Sequence, residues 1–175
     1  GSQLRAERQF TQVGAEIIGS ANPAADAETI CLAAEALIAL GIKGLSVDLG
    51  MPPLVATVCA DINPTDEQFL LLRAALDRKD TATVQALAAD IGEEAAAMLL
   101  ALMNASGPVD SALKSLSKID LPLAAAALRS DFEEIIATIM TRSPDLSLTI
   151  DTVENRGFEY HTGITYTLFA RGVRG

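Results

Sequence analysis

Two short runs hold most of the side chains in this sequence that could do chemistry. The first is Gln12-x-Gly14-x-Glu16. Residues two apart on a strand share a face, so an amide and a carboxylate would flank a glycine gap about 13 Å end to end at roughly 3.3 Å per residue. A floor without a side chain, bounded by such groups, suits a small ligand with an ammonium or imidazole N–H. The same spacing also describes an exposed strand face with a glycine at a bulge. The second run is Arg156-Gly157-Phe158-Glu159-Tyr160-His161-Thr162-Gly163. There a guanidinium could hold a carboxylate through its two-pronged fork, with Tyr160 and His161 closing a polar pocket. A hairpin with glycine turns, Tyr160 in the core and His161 in water, fits the pattern equally.

Other chemistries are missing from the sequence. It contains one histidine, too few for a histidine metal cluster. It has no Gly-x-Ser-x-Gly elbow, P-loop or Gly-rich dinucleotide fingerprint. No catalytic residue, metal ligand or cofactor is therefore assigned. Asp and Glu number 23 against 13 Lys and Arg, a net charge of −10 with a pI near 4.4. Nucleic-acid affinity comes largely from cations displacing counterions, so this balance argues against nucleic acid and against an anionic membrane surface. It also serves solubility. No apolar run reaches the roughly 18 residues of a membrane span. Cys31 and Cys59 lie apart in apolar stretches, which fits buried free thiols in a reducing cytosol. Gly1-Ser2 fits an expression scar, and the chain is read as a piece of a longer protein with a cytoplasmic location.

The elements that must position the two runs follow from periodicity. Arg8 to Ile18 alternates, with Thr11, Val13, Ala15 and Ile17 on one side, and predicts a strand. Asn22 caps a helix with Pro23 just inside and Gly41 at its end. Ile30, Ala33, Ala34, Leu37 and Leu40 form its apolar stripe. Leu45, Val47 and Leu49 mark a second strand, followed by a short helix ending near Asp61. From Asn63 to about Arg142 the chain is helical and Ala-rich, with starts at Thr65-Asp66, Asp80 and Pro122. One face there runs Val84, Leu87, Ala88 and Ile91. A second carries Ala95, Met98, Leu99 and Leu102, and a third Phe132, Ile135, Ile136 and Ile139. Strands return at 146–151 and 164–168. Strands flanking a helical block predict an α+β fold with a mostly antiparallel sheet. The expected divisions are 1–62, a helical insertion over 63–142, and a return to the sheet over 143–175. Half the residues are apolar and only 4 % aromatic, so the core must be aliphatic.

The two runs together resemble the histidyl-tRNA synthetases and their relatives. Arg8-Gln9-Phe10-Thr11-Gln12-Val13-Gly14-Ala15-Glu16-Ile17-Ile18-Gly19 is similar to the end of the second class II motif, and Arg156 to Gly163 to the histidine-specific motif. Asp26-Ala27-Glu28, opening the helix that runs to Leu40-Gly41, also fits. The resemblance implies a class II synthetase-like sheet with a helical insertion. It implies that Gln12 and Glu16 contact histidine, that Arg156 lies near its carboxylate, and that Tyr160 and His161 surround the imidazole. The sequence departs from the synthetase pattern at three positions. His161 stands in place of Tyr, Glu159 in place of Asp, and Ala6 where an Arg is usual. The first and third class II motifs are not in this sequence, so the chain alone cannot form an adenylate. The tail from Thr167 to Gly175 is also unlike a synthetase. These departures resemble the non-catalytic branch, the regulatory subunits of short-form ATP phosphoribosyltransferase. That branch implies feedback by L-histidine, a short catalytic subunit as partner, and a homodimer in full-length form. The alternative is a histidyl-tRNA synthetase catalytic-domain fragment, which would need ATP, magnesium and tRNA.

Overall fold

In a computed structural model of the chain, residues 11–154 and 162–171 are described. Helix α1, Pro23–Ala39, starts where its sequence signals place it. Asn22 is extended, its side chain accepts the Ala24 N–H at 2.8 Å, and Pro23 occupies the first helical position. The helix closes at Gly41, which has φ +84°. The Gly41 N–H returns to the Ile38 carbonyl and that of Ile42 to Leu37, a reversal that glycine makes without steric penalty. Ala27, Ile30, Cys31 and Ala34 form the buried stripe.

Strand β1, Leu45–Gly50, follows with Leu45, Val47 and Leu49 buried. Helix α2 spans Pro52–Ile62 and stops at Asn63, which has φ +50°. Helix α3, Asp66–Asp77, opens with a reciprocal capping box between Thr65 and Gln68. Then come α4 Thr81–Ala86, α5 Ala88–Ile91, α6 Glu93–Asn104, the two-residue strand β2 Gly107–Pro108, α7 Val109–Leu116 and α8 Leu123–Arg142. Strands β3, Ser147–Asp151, and β4, Thr165–Ala170, complete the described elements.

The sheet order is β2-β3-β1-β4. β1 runs parallel to β3 and antiparallel to β4, and β2 is antiparallel to β3. The fold is α+β, and two of its three strand pairings are antiparallel. The parallel pairing lies at the centre, where a crossover is obligatory. Helix α8 packs on α1 and α2. The core is aliphatic, with Phe132 the only fully buried aromatic side chain among the described residues. Cys31 and Cys59 are buried free thiols, and burial pushes the Cys59 thiol up to about 11.

Two expectations are corrected. The strand expected over residues 8–18 is not formed by its described part: residues 11–18 are exposed and lie in no strand. Alternation fixes which side chains share a face, but a strand also needs a neighbour for its backbone groups, and this segment belongs to no ladder of the sheet. The face expected to run from Val84 to Ile91 is broken at Leu87 into α4 and α5, and Gly92 with φ +95° turns the chain into α6.

Two side chains tie the helices to one another and to the sheet. Arg129 on α8 donates to the carbonyls of Leu116 and Ile119 at 3.2 and 2.9 Å, closing the end of α7. The buried Thr152 hydroxyl donates to the Leu102 carbonyl at 2.6 Å, tying the end of β3 to α6. Thr152→Val keeps the shape and removes the donor. Because the Leu102 carbonyl also accepts from the Ala105 N–H, the loss is expected to cost about 0.5–1.5 kcal/mol, read as a lower urea midpoint at unchanged slope. At the head of α4, the Asp80 carboxylate accepts from the Thr83 hydroxyl at 2.6 Å and the Thr83 N–H at 3.1 Å. These bonds hold its carboxyl below the usual carboxylate range. A depressed folded value means the stabilisation is present above about pH 4 and is lost as pH falls through the folded value. Asp80→Asn keeps a capping side chain without the titration, so acid unfolding should become less steep with pH.

Candidate functional site

The chain approaches α1 through Ala15–Ile18, and these residues meet the start of β4 across the first turns of the helix. Between them lies a cleft of about 440 Å³ lined by Ala15, Glu16, Ile17, Ile18, Asp26, Thr29, Ile164 and Tyr166. Ile17, Ile18 and Ile164 contribute the apolar part of its lining. Glu16, Asp26, Thr29 and Tyr166 supply two carboxylates, a hydroxyl and a phenol. The Thr29 hydroxyl donates to the carbonyls of Asp26 and Ala25 at 2.7 and 3.2 Å, which leaves its lone pairs for a donor. Partial burial raises the Asp26 carboxyl above its ordinary value, and a cation in the cleft would reverse that shift. A smaller cavity of about 150 Å³ shares Asp26 and Ile164 and reaches Met51, Asp131, Phe132, Thr162 and Gly163. Acceptors beside apolar side chains suit a small cationic molecule with a flat or aliphatic body. Among the described residues no three His, Cys, Asp or Glu side chains are grouped to hold a metal ion.

Glu16 lines the cleft, whereas Gln12 is exposed and is not among the lining residues. Arg156, Tyr160 and His161 lie outside the described residues. The structure brings the segment before α1 next to Ile164 and Tyr166, which directly follow the second run. Asp26, Thr29 and Tyr166 were not singled out from the sequence as site residues. Asp26 and Thr29 stand one turn apart on α1, and that spacing is the signal a reading of the helix head could have used.

The strand ends beside the cleft are closely packed. A Cβ on Gly50 would lie 2.7 Å from Thr165 Oγ1, 3.7 Å from the Asp151 carbonyl oxygen and 3.9 Å from Glu154 Cβ. Gly50 is paired with both Asp151 and Thr165, so the absence of a side chain lets three elements converge there. On the same sheet face Thr149 donates to Asp48 at 2.6 Å.

The whole chain, residues 1–175, matches the family model described as histidyl-tRNA synthetase. It is 48 % identical over 175 residues to the ATP phosphoribosyltransferase regulatory subunit of Rhodospirillum centenum, across all of this chain and 44 % of that protein. It is 50 % identical over 173 residues to the protein of the same name from Paramagnetospirillum magneticum, across 99 % of this chain and 45 % of that one. The chain thus spans less than half the length of these curated relatives. Its fold is similar to the crystal structure of an ATP phosphoribosyltransferase regulatory subunit/histidyl-tRNA synthetase from Bacillus halodurans, with a TM-score of 0.74 at 16 % identity over 89 % of this chain and 41 % of that one. It is also similar to a chain of an ATP phosphoribosyl transferase (HisG:HisZ) complex from Thermotoga maritima, with a TM-score of 0.64 at 17 % identity over 85 % of this chain and 52 % of that one. These likenesses give the fold, which is class II synthetase-like.

The crowding at Gly50 is testable. Gly50→Ala forces a methyl against the Thr165 hydroxyl and should destabilise by about 1–3 kcal/mol. Adding Thr165→Ala should recover most of that loss in a urea titration, because the closest atom belongs to that side chain.

Proposed function

The chain belongs to the histidyl-tRNA synthetase family, which it matches along its whole length, and on that premise we propose that it is the synthetase-like part of a non-catalytic regulatory subunit of ATP phosphoribosyltransferase. In this reading it acts at the first step of histidine biosynthesis, in the cytoplasm, as part of a homodimer. It binds L-histidine and transmits feedback to a short catalytic subunit. The observation that carries the reading is the near-half identity, along essentially the whole chain, to two proteins named as that regulatory subunit. The departures from the synthetase pattern at Ala6, Glu159 and His161 support it.

Gln12 and Glu16 hold the ligand's N–H groups, Arg156 its carboxylate, and Tyr160 and His161 its ring. The acceptors of Glu16 and Asp26 beside isoleucine side chains suit an ammonium or imidazole. No residue need break or form a bond. The function is a coupling free energy: histidine binds one arrangement of the complex better than another, and the partner's activity follows. The description of the matching family favours a second reading, a synthetase catalytic fragment.

The test uses the full-length protein. At a hundredfold excess over Kd, L-histidine should stabilise the native state by about 2.7 kcal/mol, seen as a rise of several degrees in the unfolding midpoint. Histidinol and ATP should give smaller shifts, and Gln12→Ala and Glu16→Ala should abolish the histidine shift. With the short catalytic subunit, histidine should inhibit only when this protein is present. A shift with ATP accompanied by histidine-dependent ATP–pyrophosphate exchange would replace this reading with the synthetase.

A further inference from the structure

The end of β3 is fastened to the helical block by polar contacts that the histidine reading does not use. Asp151 Oδ1 accepts from Lys79 Nζ at 2.5 Å, from Ser106 Oγ at 3.4 Å and from the Val153 N–H at 3.1 Å. Lys79 Nζ also donates to Ser106 Oγ at 3.3 Å. The next residue, Thr152, is held to the Leu102 carbonyl, and Val153 is fully buried. Three successive residues are thus fixed: Asp151 to the turn after α3 and the end of α6, Thr152 to the same end of α6, and Val153 in the core.

Lys79 occupies an unusual place. It has φ +56°. Its N–H returns to the Leu76 carbonyl and that of Asp80 to Ala75. This is the left-handed position that ends a helix, which glycine fills without steric penalty. A lysine there brings the ammonium that reaches Asp151. The side chains of the pair are 40 % and 24 % exposed, and so open an ion pair adds little to global stability. Its effect belongs to local geometry. From Asp151 the path to the cleft is short: Asp151 pairs with Gly50 and Gly50 with Thr165 across the sheet, Thr165 Oγ1 stands close over Gly50, and the residue after Thr165 is Tyr166, which lines the cleft with Glu16.

We propose that the Lys79–Asp151–Ser106 cluster positions the cleft end of the sheet and so couples the helical block to ligand binding. Lys79 and Asp151 are positioning residues. The ligand half of this coupling rests on the histidine reading above; the mechanical half, the fixing of the sheet end, does not.

The experiment uses the full-length protein with Lys79→Met, Asp151→Asn, the double variant, Lys79→Arg and Lys79→Gly. L-histidine affinity is measured by calorimetry, and amide exchange of the ligand-free protein is followed residue by residue. Each of the first two substitutions should weaken histidine about tenfold, within the usual range of coupling between sites. The double variant should be no weaker than either single one. Lys79→Arg should recover affinity to within about threefold, a rescue that a generally destabilised fold would not give. Lys79→Gly should weaken histidine while the unfolding midpoint holds or rises. Exchange at Thr165–Thr167 should quicken in Lys79→Met while Leu168–Ala170 stay unchanged. If the wild type binds histidine and neither affinity nor exchange moves in the variants, the coupling is wrong and the histidine reading stands. If the wild type does not bind histidine, that reading falls and exchange decides the mechanical half: a local rise upholds it, and none overturns it.

Discussion

Strands β1 and β3 lie side by side and run in the same direction, so no turn can join them. The chain must leave the far end of β1 and travel back to the end at which β1 began before it can start β3. Much of what lies between residues 51 and 146 follows from that requirement. The crossover is larger than a single helix, and its last element, α8, returns along α1 and α2. That return buries Phe132, Ile135, Ile136 and Ile139 and brings the chain to Leu146, next to the strand it must join. β4 can then pair with the other side of β1, which leaves Val47 and Leu49 fully buried at the centre.

Much of this was legible in the sequence, because helix ends are written locally. Asn22, Thr65 and Asp80 each accept a hydrogen bond from the backbone of the turn they open, and such contacts need no knowledge of distant residues. Alternation likewise placed Leu45, Val47 and Leu49 on one face. What failed was information that alternation does not contain. The segment up to Ile18 has a strand's pattern, yet pattern names no partner. The division between α4 and α5 at Leu87 is invisible to a helical period that continues through it. The site shows the same boundary. Glu16 was singled out by its spacing from Gln12, whereas Asp26, Thr29 and Tyr166 come to line a cleft with it only when α1 and β4 are packed.

The acidic balance of the chain takes a more specific meaning at the cleft. A net charge of −10 spread over a surface mainly serves solubility. Two carboxylates, Glu16 and Asp26, line the same cleft, which gathers negative charge at one place on the surface. Lys79 pairs with Asp151 where the end of β3 meets the helices. The charge pattern therefore differs between the two places, with carboxylates lining the cleft and a lysine–carboxylate pair at the end of β3.

The two buried thiols give the molecule an internal clock. Cys31 sits on α1 and Cys59 on α2, and neither is reachable in the closed fold. With its thiol near 11, Cys59 presents a thiolate in only about one molecule in ten thousand at neutral pH, and the thiolate is the nucleophile. Alkylation at either position must therefore wait for the protein to open, and its rate reports the frequency of that opening. Equal rates at both sulfurs would mean that α1 and α2 come away as one cooperative unit. Unequal rates would show which helix loosens first, and so where the return path of α8 is most firmly held.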